Sequence, residues 1–440
     1  MSARDFFLGK RIAVIGLGVN GEMAADVRFL VKANALVSVY DLKAEAKVSG
    51  HAASLRSLGL ANFLCGSVPA DDLLDMDLII LSHEYPRNSS FLSEARKKGV
   101  EIEYPETLFL RLAPPITVVG IMGACGKATV LSMLSPMMEA ACAEKKAKEK
   151  CFTADPESDS GILAHLGRMK NGDILVLRIA EQMMPEITAL DWSPHIAVFA
   201  TMPSLPSSLE SPFGILVHQT YNNHVIGSDK VIDAVRASGL PLKGKMLRTK
   251  ASLVPEDWLR NGRAPYDQDN AALALQAAKL FGVSNETAKA VLSKWKPLKG
   301  RLEPVKKLKS VEFWNDTASV SPEATVAGME ALAGDKNLVL IMGGSDRGAD
   351  YHDLYAAASR YAHALVVLPG SGTLKERQAI RGLDGLTVLS VPSVEEAVRS
   401  AMDQAHKGDK VLFSPGFGAG GIYGSRAERG DHFIRAVRAL

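Results

Sequence analysis

Lys127 closes a glycine-bounded loop, "GACGKAT" at residues 123–129, that follows an apolar run and opens a helix-like segment. Backbone N–H groups of such a turn can cradle a phosphate, and a lysine ammonium adds a point charge beside it. The position after Lys127 is Ala128, so the hydroxyl that would hold a magnesium ion comes one place later, at Thr129. The nucleotide-binding residues expected here are Gly123, Ala124, Cys125, Gly126, Lys127, Ala128 and Thr129, with Thr129 as the loop's remaining candidate for metal. The alternative for Lys127 is an ordinary exposed lysine at a helix start.

A second turn, "GLGVNG" at 16–21, follows a strand-like run, and Asp41 ends the next strand about 20 residues on. Gly16, Leu17 and Gly18 would let the backbone approach a phosphate at a helix N-terminus. Asp41 would accept bonds from a ribose or a base. A tight strand-to-helix turn without ligand uses the same residues. A nicotinamide oxidoreductase would use them too, but it leaves the Lys127 loop and everything after residue 300 unexplained. In the segment 301–325, Arg301 near a hinge could close over phosphates, and Asp316 past a strand end could hold a ribose. Taken singly, an exposed Arg–Glu pair and a helix cap are the commoner roles for such residues.

Three blocks must position these groups. Each opens with a strand-like apolar run, and strands alternate with helical stretches throughout. That alternation predicts an α/β protein of three domains with largely parallel sheets. The first block holds the strand candidate 76–82, and Pro114-Pro115 marks its end. The second carries strand candidates in "GDILVLRIAE" and "PHIAVFA", a poorly patterned stretch at 143–160, and a helix over 269–282. The third has strand candidates at 311–314, 338–342, 364–368, 386–391 and 410–414. The expected domains are 1–113, 114–299 and 300–440.

Composition narrows the class. The chain has 440 residues, 47% hydrophobic and 23% charged, with a net charge of +2. Such a balance gives no electrostatic reason to expect nucleic-acid binding. The basic run at 143–150 has acids interleaved, as in a solvated helix or loop. Four cysteines without CxxC pairing and ten scattered histidines offer no zinc spacing and suit a cytoplasmic protein. No signal peptide and no membrane span is expected.

The ordered set "RIAVIGLGVNG", "GACGKAT", "DNAALALQAAKLFGVS", "RLE…WNDTASVSPEATVAGMEAL", "LIMGGSDRGADY" and "LFSPGFGAGG…ERGDHF" resembles the Mur ligase family over nearly the whole chain. It is most similar to the members that add D-glutamate to UDP-N-acetylmuramoyl-L-alanine in peptidoglycan precursor synthesis. The resemblance implies a Rossmann-like UDP-binding domain, a P-loop-type ATP-binding domain and a Rossmann-like C-terminal domain. It implies ATP as cofactor and Mg2+ where catalysis occurs. ATP would phosphorylate a carboxylate, and an amine would displace the phosphate. Gly16, Leu17, Gly18, Asp41 and Ser82 would bind the UDP-sugar, and Asn270, Arg301 and Asp316 would complete the ATP site. Lys127 and Arg301 would be catalytic. Asp346, Arg347, Asp350 and Ser414 would lie on the acceptor side.

The departures from the family pattern fall on the catalytic parts. Ala128 replaces a metal-holding hydroxyl and Cys125 an asparagine. Arg178 stands where the resemblance implies a metal-binding glutamate, with Glu181 nearby as the candidate substitute for metal, and His218 near the place of a carbamylated lysine. Ala318 replaces a lysine, and Gly300 a histidine. Two functions are therefore expected in competition. One is an active ligase acting in cell-wall biogenesis, cell shape and division. The other is a non-catalytic relative that binds nucleotide and acts through partners such as cell-wall enzymes.

Overall fold

The structure is a computed structural model describing residues 3–18, 21–83, 85–144, 148–156, 158, 160–203, 211–262, 264–420, 423 and 425–440. Residues 19–20 of the first glycine turn, 145–147 of the basic run and Gly421 of "GAGG" lie outside the described residues. Three α/β sheets follow one another along the chain, as the sequence predicts.

The first sheet contains β1 (Arg11–Ile15), β2 (Leu36–Asp41), β3 (Asn62–Cys65), β4 (Leu78–Leu81) and β5 (Glu101–Glu103), in the order β3-β2-β1-β4-β5. All its pairings are parallel. The run "LIIL" of β4 is buried along its whole length, as expected for a strand covered on both faces. The order reverses beside β1, which opens a crevice at the C-terminal ends of β1 and β4. The first glycine turn leads from β1 into helix α1 (Ala24–Lys32).

The second sheet contains β6 (Thr117–Met122), β7 (Cys151–Ala154), β8 (Ile174–Arg178), β9 (Ile196–Phe199), β10 (His224–Gly227) and β11 (Lys245–Arg248), ordered β11-β10-β9-β6-β8-β7 and wholly parallel. The Lys127 loop joins β6 to helix α2 (Lys127–Glu144). Helix α3 (Pro265–Leu280) follows later and carries Asn270.

The third sheet contains β12 (Glu303–Leu308), β13 (Val311–Asn315), β14 (Leu338–Gly343), β15 (Ala362–Leu368), β16 (Thr387–Ser390) and β17 (Lys410–Phe413), ordered β12-β13-β17-β14-β15-β16. Only β12 runs antiparallel, along one edge. Helix α4 (Pro322–Leu332) and the C-terminal helix α5 (Arg426–Ala439) cover it.

The chain groups into two compact units, Met1–Val254 with Asn270–Leu292, and Pro255–Asp269 with Ser293–Leu440. The first two sheets share one unit and one continuous apolar core. The joint is specific: buried Asp26 on α1 accepts a hydrogen bond from the Leu163 amide at 2.8 Å. Gly161 has no room for a side chain there, since a Cβ would lie 2.6 Å from Asp26 Oδ1. The boundary expected at 113 therefore separates two sheets inside one unit. Six strands escape the sequence patterns. The segment of β7 lies in the stretch that reads as poorly patterned, β3, β10 and β11 have only four residues each, β5 has three, and β12 is a lysine-bearing edge strand.

Candidate functional site

The Lys127 loop lies at the C-terminal edge of the second sheet, where β6 meets β9. Gly123 and Gly126 hold φ of 122° and 82°, which suits glycine alone. A Cβ on Gly123 would fall 2.7 Å from the Thr201 amide nitrogen, and one on Gly126 would fall 2.7 Å from Asn270 Oδ1. The structure thus brings Asn270 to the loop, as expected. Ala124 N–H donates to Met202 O at 3.2 Å, and Cys125 N–H donates to Thr201 Oγ1 at 3.1 Å. These two amides brace the loop against the segment after β9. An anion would instead meet the N–H groups of the first turn of α2, a helix of 18 residues. Lys127 Nζ folds back onto the carbonyls of Gly123 and Ala124, the latter at 3.2 Å. The residues fit a triphosphate: a glycine turn, a helix N-terminus and an ammonium converge there.

A divalent metal finds less. Thr129 is buried on α2, and Ala128 offers no oxygen. Glu181 is half-buried and opens a short 3-10 turn at Glu181–Met183. Arg178, buried at the end of β8, pairs with Asp155 through Nε at 2.6 Å. That guanidinium occupies the strand end where a metal-binding acid was expected, and its charge repels a cation. His218 is over one-third exposed, beside Asp191 at 3.6 Å. The described donors suit a metal that arrives held by phosphate oxygens, with Thr129 its one candidate ligand on the loop.

In the first sheet, Gly16, Leu17, Asp41 and Ser82 come together. Asp41 is fully buried. Its Oδ2 accepts from the Leu17 amide and its Oδ1 from the Lys43 amide, both at 2.8 Å. Tyr85 O–H reaches the same Oδ1 at 3.4 Å. The carboxylate expected to meet a ribose or a base holds the turn itself. Ser82 lies under Gly16 and its buried Oγ has no hydrogen-bond partner among the described residues.

Beyond this turn lies a cavity of about 170 Å³, reached by Glu22, Asp26, His83, Glu106 and Asp155. Glu22 and Glu106 were invisible to the sequence patterns, because acids at helix starts are ordinary caps. Burial pushes Asp26 up to about 7, against the hydrogen bonds from the Leu163 and Ala164 amides. Burial pulls His83 down, but the charge and hydrogen bond of Glu106, 2.8 Å away, outweigh it and raise the imidazole. A Cβ on Gly18 would fall 1.8 Å from Glu22 Oε2, so that carboxylate lies against the start of the turn.

The second unit assembles its candidates on the C-terminal edge of the third sheet. Asp316 follows β13 and is buried, with Oδ1 accepting from the Leu302 amide at 3.1 Å and Oδ2 from Ser414 Oγ at 2.7 Å. Burial pushes its carboxyl up to about 6, opposed by hydrogen bonds from Ser319, Ser414 and the Leu302 amide and by the charge of Arg301. Arg301 and Asp316 are therefore neighbours, as expected. Ser414 was expected to face an acceptor. It is fully buried between Asp316 and Thr325, whose Oγ1 is 3.0 Å away, and serves as a buttress. Gly300 and Ala318 meet through an Ala318 N–H to Gly300 O bond of 2.9 Å. A Cβ on Gly300 would lie 2.8 Å from Thr317 Cγ2, so the residue that replaces the family's histidine fits tightly.

Asp346, Arg347 and Asp350 are exposed on the loop after β14. Asp346 pairs with Lys375 at 2.9 Å, and that hydrogen bond holds its carboxyl below the usual range. Asp350 accepts from the His352 amide at 2.9 Å, a local turn just before the next helix. Sequence reasoning missed Arg429. It is buried on α5 and donates to the carbonyls of Phe417 at 3.3 Å and Gly418 at 3.0 Å, and to Thr317 Oγ1 at 3.4 Å. Burial pulls it down to about 10. It stood in plain view in "ERGDHF", where an arginine inside a charged run looks solvated.

Residues 300–417 match the family described as Mur ligase, glutamate ligase domain. The second unit carries a Mur ligase domain. Similarity to such ligases extends through both units. A UDP-N-acetylmuramoylalanine–D-glutamate ligase of Desulfosudis oleivorans is 27% identical over 461 residues, covering 98% of this chain and 96% of the relative. One of Roseiflexus sp. is 27% identical over 480 residues, at 98% and 99% coverage. Among solved structures, a murein peptide ligase of Psychrobacter arcticus superposes with a TM-score of 0.62 at 15% identity, covering 98% and 99%. A UDP-N-acetylmuramate–alanine ligase of Thermotoga maritima gives 0.60 at 15% identity and the same coverage. These two likenesses show that the three sheets share the fold of those structures. No helix among the described residues is long and apolar enough to cross a membrane.

Proposed function

We propose that this chain is a cytoplasmic, ATP-dependent, ADP-forming ligase that joins D-glutamate to UDP-N-acetylmuramoyl-L-alanine. The observation that carries this reading is the retained Lys127 loop within a chain that aligns end to end with ligases of that name. Residues 1–113 would bind the UDP-sugar, 114–299 the ATP, and 300–440 the incoming amino acid.

The chemistry is written from the reactants. A donor carboxylate oxygen attacks the γ-phosphorus, the bond to the β-phosphate oxygen breaks, and ADP leaves. The amine nitrogen then attacks the acyl carbon, inorganic phosphate departs with that carboxylate oxygen, and the amine loses a proton to solvent. Lys127 and the start of α2 would neutralise the charge that spreads over the transferring group. Asn270 would sit beside the nucleotide, and Asp316, held by Ser414, would bind its ribose. Arg301 would neutralise phosphate charge. Mg2+ would supply charge neutralisation on the phosphates, with Thr129 its candidate ligand. Asp346 and Arg347, exposed after β14, would face the amino acid.

A second reading rests on the Arg178–Asp155 pair, which replaces metal support by a cation: a nucleotide-binding relative without turnover. Incubation of the purified chain with ATP, Mg2+, UDP-N-acetylmuramoyl-L-alanine and D-glutamate separates the two. The ligase yields ADP and a product heavier by one glutamate residue. ATP binding without either product rules the ligase out and supports the second reading.

A further inference from the structure

We propose that His363, His406 and Asp409 form a site for a transition-metal dication of the Zn2+ type, at the edge of the third sheet remote from the nucleotide residues. Their donor atoms lie within 4.8 Å of one another. The proposal is independent of the ligase reading.

The fold builds this cluster by two local devices. Along β14 and β15, Leu338 pairs with Ala362 and Val339 with Ala364, so His363 is the extra residue of a bulge. A bulge re-aims the side chain it carries. Across the sheet, a turn precedes β17, closed by Gly408 at φ 96°. Buried Asp409 is its hub: its Oδ2 accepts from the His406 amide at 2.6 Å and lies 2.8 Å from His363 Nε2. The same oxygen lies 3.4 Å from His406 Nδ1, and the two imidazole rings are 5.0 Å apart, inclined at 52°.

Two of the three donor spacings, 2.8 and 3.4 Å, are close to that of ligands around one ion. With bonds of roughly 2.0–2.2 Å, two donors on a tetrahedral Zn2+ stand about 3.3 Å apart. The His406–Asp409 pair is already there. His363 must retreat by roughly half an ångström as its shared hydrogen gives way to the metal. That proton moves to the other ring nitrogen or leaves to water. Two imidazoles and one carboxylate suit Zn2+, Co2+ or Ni2+ rather than the oxygen-seeking Mg2+ or Ca2+. The His406 side chain is 79% exposed, which provides an entry path and leaves room for water ligands. The site lies before β17, whereas Ser414 follows it. Four strand residues, about 13 Å of chain, separate the ion from the Asp316 cluster.

The test uses the full-length chain, stripped with chelator and titrated with Co2+ by visible absorption and with Zn2+ by calorimetry. The expected result is one saturable ion per chain with imidazole-type Co2+ absorption. His406→Ala, at an exposed position that leaves folding intact, weakens binding more than about tenfold. His363→Ala does the same, and Zn2+ raises the melting temperature of the wild type but of neither variant. Absence of saturable binding, or binding that His406→Ala leaves unchanged, overturns the proposal.

Discussion

At the scale of the residue, charge decides what each group can do. In the proposed reaction Lys127 is the one ammonium of its loop that would follow charge from ATP to the departing phosphate, and in the folded chain it donates to two loop carbonyls. Lys127→Ala should therefore lower ADP release by about 100-fold or more while lowering stability by no more than about 1 kcal/mol. A steady-state ADP assay beside a melting curve checks both halves. Asp316 makes a different kind of statement. Its carboxyl is pushed up to about 6 from 3.8, so the folded chain holds that proton more tightly than the unfolded chain does. The resulting stabilisation, about 3 kcal/mol, is complete below the unfolded value and is lost as pH rises toward the folded one. Asp316→Asn cannot titrate, so stability between about pH 4 and 6 should fall less steeply than in the wild type. Urea unfolding at several pH values measures the difference.

At the scale of the element, loops after parallel strands set the geometry, and glycines keep them tight. Gly126 is held at φ 82° with Asn270 Oδ1 in the space a methyl group would fill. Gly126→Ala should cost about 1–3 kcal/mol and weaken ATP binding, because Asn270 is displaced from the loop. Calorimetric ATP titration and denaturation together test this. The same loop shows what a sequence reveals. Gly123, Gly126 and Lys127 were legible because a phosphate cradle needs fixed types at fixed spacing. β4 and β14 were legible because strands buried on both faces read as unbroken apolar runs. Asp41 was visible as a strand-end acid, but the Leu17 and Lys43 amides that engage it belong to tertiary folding. Ser414 was placed on the acceptor side by the resemblance, yet it follows β17 inward to Asp316. Arg429 was hidden for the converse reason: charged residues on helices normally face water, and nothing local marks one that does not.

At the scale of the whole molecule, the residues of the proposed reaction are found in both units. One holds Lys127, Asn270 and the acid-lined cavity; the other holds Arg301, Asp316 and the loop after β14. Neither unit alone carries the full proposed set, so activity is expected of the intact chain. The alignment over 98% of the sequence fits that expectation. The central claim is that the donor carboxylate is activated by ATP before the amine attacks, and oxygen labelling follows that event directly. UDP-N-acetylmuramoyl-L-alanine carrying 18O in its carboxylate, incubated with ATP, Mg2+ and D-glutamate, should deliver one labelled oxygen to inorganic phosphate for each amide formed. Unlabelled phosphate, or no D-glutamate-dependent phosphate at all, would contradict it.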